Sequence, residues 1–101
     1  MTERADFYIE KVRYNKGHTK IVWVSVREDS GTGLSGAYNM VRKRLVALLG
    51  EGKMFMTIFR NPEGKFRRGH KLTVVKVKGL PYLRTDLETV ENDLLADVQE
   101  Y

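Results

Sequence analysis

Thr19-Lys20-Ile21-Val22-Trp23-Val24-Ser25-Val26-Arg27-Glu28 is the stretch that decides the fold class. It is rich in β-branched and aromatic side chains and holds neither proline nor glycine, so it reads as a strand. Alternation puts Val22, Val24 and Val26 on one face and Ile21 and Trp23 on the other. Both faces therefore ask for apolar cover.

N-terminal to it, Phe7 to Tyr14 reads as a second strand with broken alternation. Phe7 and Ile9 share one face, Val12 and Tyr14 the other, and a bulge near Glu10-Lys11 reconciles them. Asn15-Lys16-Gly17-His18 between the two strands has turn chemistry. On the other side, Asp29 to Gly36 carries three glycines but lacks the lysine and hydroxyl of a phosphate-gripping loop, and its spacing is not the dinucleotide one. It reads as a connector.

Tyr38 to Leu49 has helical periodicity, with Val41, Leu45, Leu48 and Leu49 as the buried stripe. Asn39 or Ser35 can cap its start, and Gly50 or Gly52 can end it. Lys53 to Arg60 alternates Met54, Met56 and Ile58 against Phe55, Thr57 and Phe59, which predicts a strand. Asn61-Pro62-Glu63-Gly64 then turns it into a hairpin with Lys65 to Arg68. Lys71 to Lys78 predicts another strand, turned at Gly79-Leu80-Pro81 into Tyr82 to Thr85, and a short helix is expected around Val90 to Leu95. The expected fold is α+β: a curved, mostly antiparallel sheet of five or six strands packed on one α-helix. Val22, Val24, Val26, Val41, Leu45, Leu48, Ile58 and Val75 should share its core.

In order and spacing the chain resembles the small bacterial and phage-associated proteins grouped as domain of unknown function 3892. The residues that carry the resemblance are Ile9 with Val12-Arg13-Tyr14, Leu45-Val46, Gly52-Lys53 followed by Phe55 and Thr57, and Val74-Val75-Lys76-Val77. To these add Tyr82-Leu83-Arg84-Thr85-Asp86, then Asn92-Asp93-Leu94-Leu95 and a closing aromatic, Tyr101. Similarity runs over nearly everything from Phe7 onward. Two positions depart from the family: Val41 stands before Arg42 where a small hydroxyl residue is usual, and no proline precedes Tyr101. The resemblance implies a compact α+β domain and transfers no catalytic residue.

With 101 residues the chain fits one domain, 1–101, and its balance of hydrophobic and charged residues is that of a globular protein. No cysteine is present, so no disulfide can form, which suits the reducing cytoplasm expected for it. The charged start Met1-Thr2-Glu3-Arg4-Ala5-Asp6 is not expected to be a secretory signal, and no apolar run approaches the roughly 20 residues that span a bilayer. Charge is distributed unevenly. The net +5 divides into a basic body, 7–85, and an acidic segment, 86–101, that holds six acids and no lysine or arginine. Either the segment is an appendage of a binding body, or it folds back and the charges cancel locally.

For catalysis the inventory is thin. His18 and His70 are far apart, no serine has the glycine surroundings of a nucleophile elbow, and no metal-ligand spacing occurs. No catalytic residue, metal or cofactor is expected. The basic residues are better placed. Arg42, Lys43 and Arg44 form one cluster. Lys53 leads to a second, made of Arg60, Lys65, Arg67, Arg68, His70 and Lys71, with Phe59 and Phe66 interleaved. Cations that track phosphates beside rings that stack on bases suit single-stranded nucleic acid; the alternative is that both rings are core and the charges guard an edge. Trp23, Ile21, Tyr8 and Tyr82 are candidates for a protein interface, since a helix covers only one face of a sheet. The expected function is a non-catalytic binding module for nucleic acid or another polyanion. The alternative is a protein-interaction module or phage-type inhibitor docking on a host protein, as a monomer or homodimer.

Overall fold

A computed structural model describes residues 5–28, 35–60, 62–95 and 98–101, with the side chains of Arg60 and Phe66 outside that description. Most of the Asp29 to Gly36 connector, Asn61 of the proline turn and Asp97 lie outside the described residues. Along the chain come β1 (Phe7–Tyr14), β2 (Ile21–Glu28), β3 (Tyr38–Val41), α1 (Arg42–Gly50), β4 (Phe55–Arg60), β5 (Phe66–Lys71), β6 (Thr73–Val77), β7 (Leu80–Arg84) and β8 (Gln99–Glu100). The fold is α+β, with a mostly antiparallel six-stranded sheet in the order β3-β2-β1-β4-β5, β8 also pairing β1, and one helix among the described residues.

The expected bulge in β1 is present and has a topological use. Ile9 faces Val26 and Lys11 faces Ser25, which leaves Glu10 as the extra residue. Before the bulge, Phe7 to Ile9 pair in parallel with Phe55 to Thr57 of β4; after it, Lys11 and Val12 pair in parallel with β8. One bulged strand thus serves two different neighbours. The parallel β1–β4 pairing needs a crossover, which β2, β3 and α1 supply.

A second irregularity corrects the face assignment of β2. Arg13 faces Trp23 but Tyr14 faces Ile21, so Val22 is skipped in the register and is 38% exposed. The skip turns Ile21 onto the core face with Val24 and Val26. Strict alternation fails there because a bulge adds one residue to the period.

The helix begins later than its periodicity predicts. Tyr38–Val41 pair antiparallel with Trp23–Val26 as β3, and Val41 becomes an extended N-cap, 56% exposed, with no side-chain cap. Leu45 and Leu48 remain as the buried stripe, with Leu49 packed beside them. At the far end Gly52 takes φ +91° and its N–H bonds back to Leu49 O at 3.1 Å, as a helix-ending glycine does.

Between sheet and helix lies the main core, where Ile9, Val12, Val24, Val26, Leu45, Phe55, Leu72, Leu83 and Leu95 pack together. Ile58 belongs instead to a smaller cluster with Ala5, Tyr8 and Met56, and Val75 is only partly buried. Strand β4 is therefore covered on both faces. At Gly69 a Cβ would collide with the Thr57 hydroxyl, which accepts the His70 N–H at 2.8 Å. The glycine lets β5 lie tight against β4.

The expected Lys71 to Lys78 strand is broken at Leu72, which is buried and donates its N–H to Phe55 O at 2.9 Å. Beyond it β6 and β7 form a separate two-stranded sheet against the helix. Their turn is Lys78-Gly79, not Gly79-Leu80-Pro81: both residues have positive φ, +53° and +79°, the geometry of a two-residue hairpin. No helix forms around Val90 to Leu95. That segment instead forms one parallel bridge, Leu94 beside Arg84, and sends Leu95 into the core.

Candidate polyanion-binding surface

The described part of the acidic segment lies against the basic body, and four of its carboxylates, Asp86, Glu91, Asp93 and Glu100, have specific partners. Asp93 is fully buried and accepts four hydrogen bonds. The backbone N–H groups of Ile21 and Leu83 each reach it at 2.8 Å, and Arg42 approaches through Nε at 2.8 Å and Nη2 at 3.2 Å. Arg42 Nη2 also donates to Pro81 O at 2.7 Å. Asp86 takes Arg84 in a two-point contact at 2.6 and 3.0 Å. Hydrogen bonding to that guanidinium holds the Asp86 carboxyl below its ordinary 3.8, and the same bonds raise Arg84. Glu91 pairs with Lys78 and Glu100 with His18, both at 2.9 Å.

This pairing sorts the candidate cations. Arg42 leaves the expected anion-binding set, because its guanidinium neutralises a buried carboxylate. Lys43, Arg44, Lys53, Arg67 and Lys71 are exposed, and among the described residues the ion pairs involve other cations, His18, Arg27, Arg42, Lys78 and Arg84. Lys65 and Arg68 are exposed as well but each has an interaction partner. Arg60 closes β4 opposite Phe66, with its side chain outside the described residues.

Lys53 and Lys71 come together. They line one shallow cleft with Leu49, Gly52, Met54 and Leu72, at the junction of helix end, β4 and β5, and no acid lines it. Arg44 lines a different cleft with Glu28, Tyr38 and Val41. There burial, with the Glu28 charge second, raises the Tyr38 phenol pKa and Arg44 opposes it. Farther along the hairpin, Phe59 is 41% exposed and stands directly opposite Arg67. It is not a core residue.

Of the four expected interface residues, three are withdrawn into the fold. Ile21, Tyr8 and Tyr82 are buried, Ile21 by the register skip, Tyr8 in the smaller cluster and Tyr82 on β7. Trp23 stays on the sheet face opposite the core, with the Arg13 guanidinium 5.5 Å from its ring centre. Arg13, Tyr101 and the buried carboxylate of Asp93 carry part of the family resemblance but were not among the expected site residues. Arg13 had a signal, its place opposite Trp23 once the strands are paired through the Glu10 bulge. Asp93 had none, since its partners lie far away in sequence. His18 is solvent-exposed, stacks on Tyr14 at 3.9 Å and pairs with Glu100 at 2.9 Å.

Among the described residues no helix is long and apolar enough to cross a membrane. Comparison with protein-family models, curated proteins and solved structures finds no match to this chain.

Proposed function

We propose that this domain is a non-catalytic binding module for polyanions, single-stranded nucleic acid foremost, and that it binds along the β4–β5 hairpin and the cleft at its base. The observation that carries this reading is Phe59, a large ring left 41% exposed directly across the strand pair from Arg67. Exposed rings beside cations let bases stack while phosphates are neutralised, and neither contact requires a particular sequence. Lys71, four residues along β5 from Arg67 and so about 13 Å away at 3.3 Å per strand residue, extends the cationic track to the cleft it shares with Lys53. The ligand chemistry could be met by RNA or DNA.

Fluorescence anisotropy with a labelled oligothymidylate at several salt concentrations tests this. Replacing Lys53, Arg67 and Lys71 together by glutamine should flatten the log–log salt slope by about 2, at ~0.7 per phosphate contact. Phe59→Ala should weaken binding about tenfold without changing the slope, as loss of one stacked base does. A wild-type chain with no salt-dependent affinity for nucleic acid below about 0.1 M salt would overturn the proposal.

A further inference from the structure

We propose that Trp23, Arg13 and Tyr101 form a second nucleic-acid site, a base-stacking platform on the sheet face turned away from the helix, in which Tyr101 holds the place of a base. The inference rests on the polyanion reading of the hairpin but on different residues.

Register defines the patch. Arg13 faces Trp23, Trp23 faces Val41, Lys11 faces Ser25 and Ser25 faces Asn39, so these six side chains share one face of β1, β2 and β3. Two are cations, one is the indole, and none is an acid. The Arg13 guanidinium lies over the indole at 5.5 Å, and Val41 beside it is 56% exposed. An electropositive rim around an aromatic floor fits a nucleotide with its phosphate on Arg13 or Lys11.

Tyr101 occupies part of this patch. Its N–H donates to Val12 O at 3.1 Å and its hydroxyl donates to Asn39 Oδ1 at 2.9 Å. Burial raises its phenol pKa, while the neighbouring indole N–H and the Arg13 charge pull the other way. That indole N–H is buried and has no well-formed acceptor, so the tyrosine covers the platform without satisfying it. Thymine offers carbonyl acceptors that the phenol lacks. The hold on Tyr101 is also slight: β8 is two residues long and its Glu100–His18 ion pair is solvent-exposed.

Trp23 is the single tryptophan of the chain, so intrinsic emission reports on this site alone. The full chain is titrated with oligothymidylate and, separately, with inorganic polyphosphate. Both should bind, but only the oligonucleotide should quench Trp23 emission, because only it brings a base to stack on the indole. Tyr101→Ala should tighten oligonucleotide binding roughly threefold, by freeing the competent state, and leave polyphosphate affinity unchanged. Arg13→Gln should weaken oligonucleotide binding severalfold, and wild-type quenching keeps the test valid if either variant folds poorly. Oligonucleotide binding that depends on Phe59 but leaves Trp23 emission unmoved, or equal quenching by polyphosphate, would overturn the platform while the hairpin reading stands. Binding of neither polyanion would overturn both and leave this face to a protein partner.

Discussion

At the scale of the residue, Asp93 is the group on which most of the fold converges. Its carboxylate joins the start of β2, the middle of β7 and the start of α1 through four hydrogen bonds. A buried charge is tolerated only when paired and hydrogen-bonded, and removing one side of such a pair leaves the other uncompensated. Asp93→Asn keeps the shape but turns an acceptor into a donor among donors. It should destabilise the protein by about 3–5 kcal/mol in urea titrations. A cost below about 1 kcal/mol would mean that Arg42 and the two N–H groups find water or other partners.

At the scale of the element, α1 breaks the usual rules for a helix start. Its N-cap, Val41, gives no side-chain bond, and Arg42, Lys43 and Arg44 fill a first turn that holds no acid. Positive charge opposes the helix dipole there. Arg42 is compensated by Asp93; Lys43 has no described compensation. Lys43→Glu should therefore raise stability by about 1 kcal/mol in thermal or urea melts. The same variant should weaken oligothymidylate binding if Lys43 lies within the field that attracts phosphates. A change that improves both would place Lys43 outside the binding surface.

At the scale of the whole molecule, the described residues after Asp86, 87–95 and 98–101, are part of the body. Leu95 sits in the main core, its N–H bonds to the Tyr14 hydroxyl at 2.9 Å, and β8 completes one edge of β1. A chain ending at Asp86 should lose its cooperative melt by circular dichroism; a folded truncated form with unchanged melting would contradict this assembly. The pH response has a sign set by Asp86. Its carboxyl is held below the ordinary 3.8, so the contribution is fully present above that value and is lost as pH falls through the depressed one. Asp86→Asn should remove this acid-side loss, measurable as a shallower fall of melting temperature below about pH 4.

Local chemistry was enough for much of the architecture: the β1 bulge at Glu10, the Leu45–Leu48 stripe, the β4–β5 hairpin with its positive-φ Gly64, and the α+β class all follow from period and turn residues. The exposed cations of the candidate surface, Lys43, Arg44, Lys53 and Arg67, were legible as well, because lysine and arginine side chains stay in water unless a buried partner draws them in. What tertiary structure decided was everything that depends on a distant partner. Only the skipped Val22 turns Ile21 inward, only β3 pairing takes Tyr38–Val41 from the helix, and only Asp93 draws Arg42 out of the binding set. The physical reason is common to all three. Periodicity reports a residue's neighbours within one element, whereas register shifts and buried ion pairs are settled by contacts between elements far apart in the chain.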